Sequence, residues 1–243
     1  MLSPKKSNLY TKKGDKGFST LYNGMILNKD SVEFECLGDL DELNSNLGLV
    51  KAFWKDDFDS TISTKLYNAP GAGAMFYKHE KCIDTGKYYE WFSLGKSIHE
   101  IQCNIMNIST QIATPLKVDY TNDHLDNWII KAGLNKEIIN IIEKNIDRLD
   151  SILPPLKNFV VPSGNKLISQ IHVCRSITRR CERRYVALKL DNVSYSKDGD
   201  PDFVREQLNI PKIYMNRLSD YLFALSRFVA MSLEIEEDLY VRK

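Results

Sequence analysis

Five stretches of this chain place apolar residues at alternating three- and four-residue steps, the spacing that lines up side chains on one face of a helix. The first is Leu40, Leu43, Leu47, Val50 and Trp54, and the second is Ile98, Ile101, Ile105, Ile108 and Ile112, stopped by Pro115. The third is Ile139, Ile142, Ile146, Leu149 and Leu153, stopped by Pro154 and Pro155. The fourth and longest, Leu167, Ile171, Cys174, Thr178, Cys181, Tyr185 and Leu188, is opened by Pro162-Ser163-Gly164. The fifth, Leu218, Leu222, Leu225 and Val229, begins after Pro211. Five such seams with no sustained strand alternation predict an all-α fold, a five-helix bundle with coiled-coil-like packing. Pieces such as Phe159-Val160-Val161 are too short to build a sheet. A chain of 243 residues suits a single domain, 1–243, with a sizeable core. Loops rich in Gly, Pro, Ser and Asp interrupt the bundle at about 55–96 and 191–210.

Composition excludes several classes of function. The formal net charge is +1, so nothing draws the whole chain to nucleic acid or an anionic membrane, and any basic site is local. The five cysteines, Cys36, Cys82, Cys103, Cys174 and Cys181, are odd in number and form no C-x-x-C pair. That argues against a disulfide framework or a zinc site and for a reducing compartment. The four histidines are scattered, so no metal site built from side chains is predicted. No apolar run approaches the ~20 residues of a membrane span. If Met1 is the true start, the nine residues before Tyr10 are too few for a signal or transit peptide. The expected location is cytoplasmic, or mitochondrial if the true N-terminus extends beyond Met1.

Chemistry concentrates at two distant places. Tyr10–Gly24 combines Gly14, Gly17 and Gly24 with Thr11, Ser19, Thr20, Lys12, Lys13 and Lys16, around one acid, Asp15. Glycines let backbone N–H groups turn toward a ligand, hydroxyls donate, and lysines supply charge, which is the chemistry of a loop around a polyphosphate. The spacing is not that of the usual P-loop, and a mobile basic tail is the alternative. The fourth helix carries Arg175, Arg179, Arg180, Glu182, Arg183 and Arg184. Arg175, Arg179 and Arg183 rise at four-residue steps beside the apolar seam, and Glu182 lies next to them. A solvated, salt-bridged face is the competing reading. The scarcity of acids on the stripe and the fit of Arg forks to phosphate oxygens favour an anion site. An RNA-binding basic helix is disfavoured by the neutral chain and the lack of interleaved aromatics.

Two further strings add to this. Gly38-Asp39-Leu40-Asp41-Glu42 reads as the opening of the first helix, with capping and dipole roles sufficient for Asp39. Asp41 is available to pair with an arginine. Tyr214-Met215-Asn216-Arg217-Leu218-Ser219-Asp220 reads as the opening of the fifth helix, where Asn216 is a poor helix former suited to a base or ribose edge.

Taken in order, Y-T-K-K-G-D-K-G-F-S-T, D-E-L-N-S-N-L-G, I-Q-C-N-I-M-N-I-S-T-Q-I-A-T-P, F-V-V-P-S-G, H-V-C-R-S-I-T-R-R-C-E-R-R and Y-M-N-R-L-S-D resemble the ATP:cob(I)alamin adenosyltransferases of the propanediol-utilisation type. The motifs cover all five helices and the N-terminal loop. Ser163 stands where that family typically has a second glycine, and the two loops are longer than usual. The resemblance implies a homotrimer with active sites between subunits. It implies ATP held by Thr11, Lys12, Lys13, Gly14, Asp15, Lys16, Gly17, Phe18, Ser19 and Thr20, by Lys29, by Arg179, Arg180, Cys181, Glu182 and Arg183, and by Asn216. It pairs Arg175 with Asp41 across the subunit interface. It lays Phe159 against the corrin, where it displaces the lower axial ligand of cobalt.

The implied reaction attacks the 5′ carbon of ATP with cob(I)alamin and expels triphosphate, with Mg²⁺ accompanying the nucleotide. Reduced cobalt is itself the nucleophile, so the absence of an acid–base constellation is expected. Orientation and charge neutralisation remain for the protein to supply. Partners implied are a cobalamin reductase and an acceptor enzyme dependent on adenosylcobalamin. The alternatives are a non-catalytic nucleotide- or cobalamin-binding or delivery module, against which Arg179, Asn216 and the loop glycines are all present, and a plain helical interaction protein. Phe159 has its own alternative, a staple packed on the start of the fourth helix.

Overall fold

The computed structural model describes residues 10, 12–22, 24–54, 94–114, 134–189 and 201–241. Five helices carry the five seams: α1 (Val32–Phe53), α2 (Leu94–Ala113), α3 (Glu137–Ile152), α4 (Lys166–Ala187) and α5 (Pro201–Ser232). Helix α4 is central, packing on α1 along one side and on α5 along the other. Helix α2 backs α1, and α3 backs α5. The row closes on itself where Asn104 of α2 donates to the buried Tyr214 hydroxyl of α5 at 3.3 Å.

Leu40, Leu43, Leu47, Val50, Ile98, Ile108, Leu167, Ile171, Leu218, Leu222 and Leu225 are all fully buried in one continuous core. Truncating any of these leucines to alanine costs ~2–5 kcal/mol through lost transfer energy and the cavity left behind. The seam that the sequence shows is therefore the seam that holds the helices together.

Helix boundaries differ from the sequence reading in three places. Helix α1 starts at Val32, eight residues before Leu40, with Ser31 extended at its N-cap and Glu33 and Glu35 in its first turn. Buried Cys36 extends the same seam toward the N-terminus. Asp39, Asp41 and Glu42 are consequently mid-helix residues, and Asp39 caps nothing. Helix α5 begins at Pro201 and runs through Pro211. Proline at a first helical position loses nothing, but Pro211 forfeits one helical hydrogen bond. Buried Leu208, Ile210, Tyr214 and Met215 on either side hold the helix across that defect. Residues 201–210, expected as loop, are thus helical, and so is 94–96. The rest of both predicted loops, 55–93 and 191–200, lies outside the described residues, as do Pro115 and Thr11.

The structure also holds two β-elements that periodicity cannot show. Strands β1 (Phe18–Thr20) and β2 (Ile26–Asn28) form an antiparallel hairpin in the register Phe18↔Asn28, Ser19↔Leu27, Thr20↔Ile26. Three residues are too few for an alternation signal. Val160 makes an antiparallel bridge to Leu239, so the Phe159–Val161 piece does find a strand partner, in the tail beyond α5. Helix α4 is capped by Asn165, whose Oδ1 accepts from the Ile168 amide at 2.9 Å, one residue past the predicted Pro162-Ser163-Gly164 opening.

Candidate functional site

The basic N-terminal segment is an ordered turn leading into the hairpin. The Gly17 amide donates to the Gly14 carbonyl at 3.3 Å, and the Lys29 amide donates to the Gly17 carbonyl at 2.9 Å. Gly17 has φ +84, a left-handed conformation that other residues adopt only with strain. A Cβ at Gly14 would lie 3.0 Å from Lys29 Nζ, so the missing side chain is what lets that ammonium lie over the loop. Lys12, Lys13, Asp15, Lys16, Phe18 and Thr20 are exposed, and Ser19 is half-buried. Buried Leu21 and the Tyr22 amide, which donates to the Ala113 carbonyl at 2.9 Å, fasten the hairpin to the end of α2.

The arginines of α4 divide into two sets. On the side facing α1, Arg180 pairs with Asp39 at 3.0 Å and with Glu42, while Arg184 pairs with Glu35 at 3.0 Å and Asp39 at 3.8 Å. Partial burial works against the Arg180 charge, and Asp39 and Glu42 outweigh it, holding the guanidinium above its ordinary range. On the side facing α5, Arg175 lies over the Phe223 ring at 5.5 Å. Burial first, then repulsion from Arg179, hold Arg175 below its ordinary range, with Asp220 opposing. Arg179 and Arg183 are exposed and make no ion pair with a described residue. Cys181 lies fully buried in the seam between these two sets, and burial raises its thiol pKa.

Glu182 and Asn216, far apart in sequence, meet beside the two uncompensated arginines. The Asn216 amide donates to Glu182 Oε1 at 3.1 Å, and its Oδ1 accepts from Arg217 at 2.8 Å. Arg217 in turn donates to Glu143 of α3 at 2.8 Å. The amide is oriented by partners on both of its atoms. Asp41 is exposed, and neither it nor Arg175 pairs with the other within the chain. Phe159 is 84% exposed, which is not the environment of a staple on α4.

The comparisons with known proteins bear on this arrangement. The family model for cobalamin adenosyltransferase matches residues 9–229, from the loop to the last turns of α5. This chain belongs to the cobalamin adenosyltransferase family. The human corrinoid adenosyltransferase MMAB is 32% identical over 240 residues, covering 99% of this chain and 76% of the relative. A corrinoid adenosyltransferase of Bacillus subtilis is 32% identical over 222 residues, covering 91% and 86%. Among solved structures, a variant PduO-type ATP:corrinoid adenosyltransferase from Lactobacillus reuteri, complexed with cobalamin and ATP, matches with a TM-score of 0.63 at 25% identity. That match covers 96% of this chain and 99% of the other.

For this adenosyltransferase, sequence reasoning missed the acids that neutralise Arg180 and Arg184. Glu35, Asp39 and Glu42 stand at four- and three-residue steps on α1 and match the four-residue step of the two arginines on α4. That signal becomes readable only once α1 is known to begin at Val32. The Glu143 anchor of Arg217 has no comparable signal.

Proposed function

We propose that this adenosyltransferase moves the 5′-deoxyadenosyl group of ATP to cob(I)alamin, forming adenosylcobalamin and releasing triphosphate. The observation that carries the assignment of the site is the division of charge on α4. Arg180 and Arg184 are neutralised by α1, whereas Arg179 and Arg183 are left exposed beside the Glu182–Asn216 pair. Those two guanidiniums are suited to the oxygens of the leaving triphosphate. The N-terminal loop Thr11–Thr20 and Lys29 supply the remaining charge and backbone donors, and Asn216 with Glu182 reads the nucleoside. Arg180 and Cys181 serve the site indirectly, through the α1 pairing and the core.

In the reaction a cobalt–carbon bond forms as the C5′–O bond breaks, and its electron pair leaves on triphosphate. The protein then needs no general base. Among the described residues no three His, Cys, Asp or Glu side chains cluster to hold a metal ion. A Mg²⁺ ion would arrive on the triphosphate itself, as this ion commonly does. Phe159, exposed at the entry to α4, would lie on the corrin and disfavour an axial ligand on cobalt. Asp41 and Arg175, each without the other inside one chain, would pair between subunits of a homotrimer whose active sites lie at the interfaces. We take 1–243 as one domain. A reductase supplying Co(I) and an enzyme consuming adenosylcobalamin are the implied partners. No described helix is long and apolar enough to cross a membrane.

The test is direct: ATP and chemically reduced cobalamin are mixed with the protein, and the spectrum is followed for the alkylated product. Absence of product with an intact fold would refute the assignment.

A further inference from the structure

The tail beyond α5 is fastened to the Phe159 segment by backbone pairing, and a buried guanidinium on α5 reinforces the fastening. Helix α5 ends with the Ile235 amide donating to the Ala230 carbonyl at 2.9 Å, and Glu234, at φ 56, turns the chain back. The tail then runs antiparallel to Phe159–Val161. The Val161 amide donates to the Asp238 carbonyl at 2.7 Å, and the Tyr240 amide donates to the Phe159 carbonyl at 2.7 Å. Phe159 itself is 84% exposed, so its own side chain contributes little to holding it in place. Its direction is set by this backbone pairing.

Arg227 on α5 is 5% exposed. Its Nε donates to Glu237 Oε1 at 2.9 Å, and its NH2 donates to Glu237 Oε2 at 3.3 Å and to the Pro154 carbonyl at 2.8 Å. One side chain thus ties together α5, the tail, and the start of the loop that leads to Phe159. A charge buried this deeply is tolerated only when paired in this way. Nearby, burial and then Arg175 hold the His172 imidazole below its ordinary pKa range, with Glu237 opposing.

We propose that Arg227 and Glu237 are positioning residues for the cobalamin half of the reaction, aligning Phe159 through the tail strand. This rests on the reading of Phe159 as the residue that faces the corrin. Loss of the Arg227–Glu237 fork frees the tail, and with it the carbonyl and flanking amide that orient Phe159, while the Arg179–Asn216 region is untouched.

The experiment compares Glu237→Gln, Glu237→Asp, Tyr240→Pro and Arg227→Met with Phe159→Ala in the full chain. Tyr240→Pro deletes the amide that donates to Phe159 together with an exposed ring, and proline favours the extended conformation in the residue before it. The readouts are the spectrum of four-coordinate cob(II)alamin formed with ATP, the KM for ATP, and helical circular dichroism. Glu237→Gln and Tyr240→Pro should each cut the four-coordinate fraction at least about fivefold, as Phe159→Ala does, with the KM for ATP within about twofold of the parent. Glu237→Asp, which keeps the carboxylate, should retain most of the signal. If Arg227→Met does not fold, the two tail variants still decide the matter. If Phe159→Ala abolishes the signal and both tail variants keep it, the positioning role is overturned. If Phe159→Ala itself keeps the signal, the corrin-facing reading falls, and the positioning role falls with it.

Discussion

Replacing Arg179 with alanine, beside a parallel replacement of Arg180, separates the two sets of arginines by function. Arg179 is exposed and pairs with no described residue, so its loss removes no contact that holds the bundle together. If its guanidinium meets the triphosphate in a partly dry site, the missing charge-assisted bond is worth ~1.5–3 kcal/mol. That converts to a fall of about 10- to 150-fold in kcat/KM. Arg180 behaves in the opposite way. It holds Asp39, whose side chain is only 14% exposed, and Glu42, although Arg180 itself is 39% exposed. Solvent screening limits the loss to about 1 kcal/mol, and a chain of this size then melts ~2–4 °C lower. The assay is steady-state adenosylation of chemically reduced cobalamin, with ATP titration and thermal melting on the same preparations. Arg179→Ala should lose activity with an unchanged Tm, and Arg180→Ala should lose Tm with a smaller loss of activity. An Arg179→Ala protein with parental kcat/KM and parental ATP affinity would refute the phosphate-clamp reasoning and return the stripe to a solvated face.

If Asp41 pairs with Arg175 of another subunit as proposed, Asp41→Asn leaves that guanidinium unpaired and should weaken trimers or ATP binding; sedimentation and ATP titration test this, and a normal, ATP-competent trimer would leave Asp41 as an ordinary surface acid. Phe159→Ala should leave the KM for ATP and the Tm almost unchanged, since the ring is exposed, yet slow adenosylation when cobalt starts as Co(II). A fall in Tm with normal Co(II) kinetics would instead make Phe159 a packing residue. Burial pushes the Cys36 and Cys174 thiols from 9.0 up to about 12. The folded state therefore keeps protons that the unfolded state sheds, so stability is full below pH 9 and falls as pH rises from 9 toward 12. Melting curves of the parent and of Cys174→Ala across that range should show a shallower decline for the variant.

Much of this protein was legible without coordinates. The five described helices and the buried face of each follow from spacing alone, because a residue at every third or fourth position must share a face whatever the fold. Residue chemistry and order along the chain also single out the loop residues Gly14, Gly17 and Lys16, the α4 arginines and Asn216 as candidates for the proposed site. Helix ends were less legible. Ser31 and Glu35 signal the true start of α1, but the stronger apolar run from Leu40 masks it, and Pro211 reads as a stop because the sequence does not show the burial that carries α5 across it.

Pairings between distant residues were decided by tertiary structure only. Spacing on one helix cannot say which helix lies beside it, so it could not tell that Asp39 and Glu42 would take Arg180 while Arg179 pairs with no described residue. Nor could it bring Glu182 to Asn216, or Arg227 to Glu237 and the tail to Phe159. A side chain's periodicity is a property of its own backbone, whereas its charge partner depends on how two helices are rotated and set against each other. That rotation is fixed by the packing of the whole core.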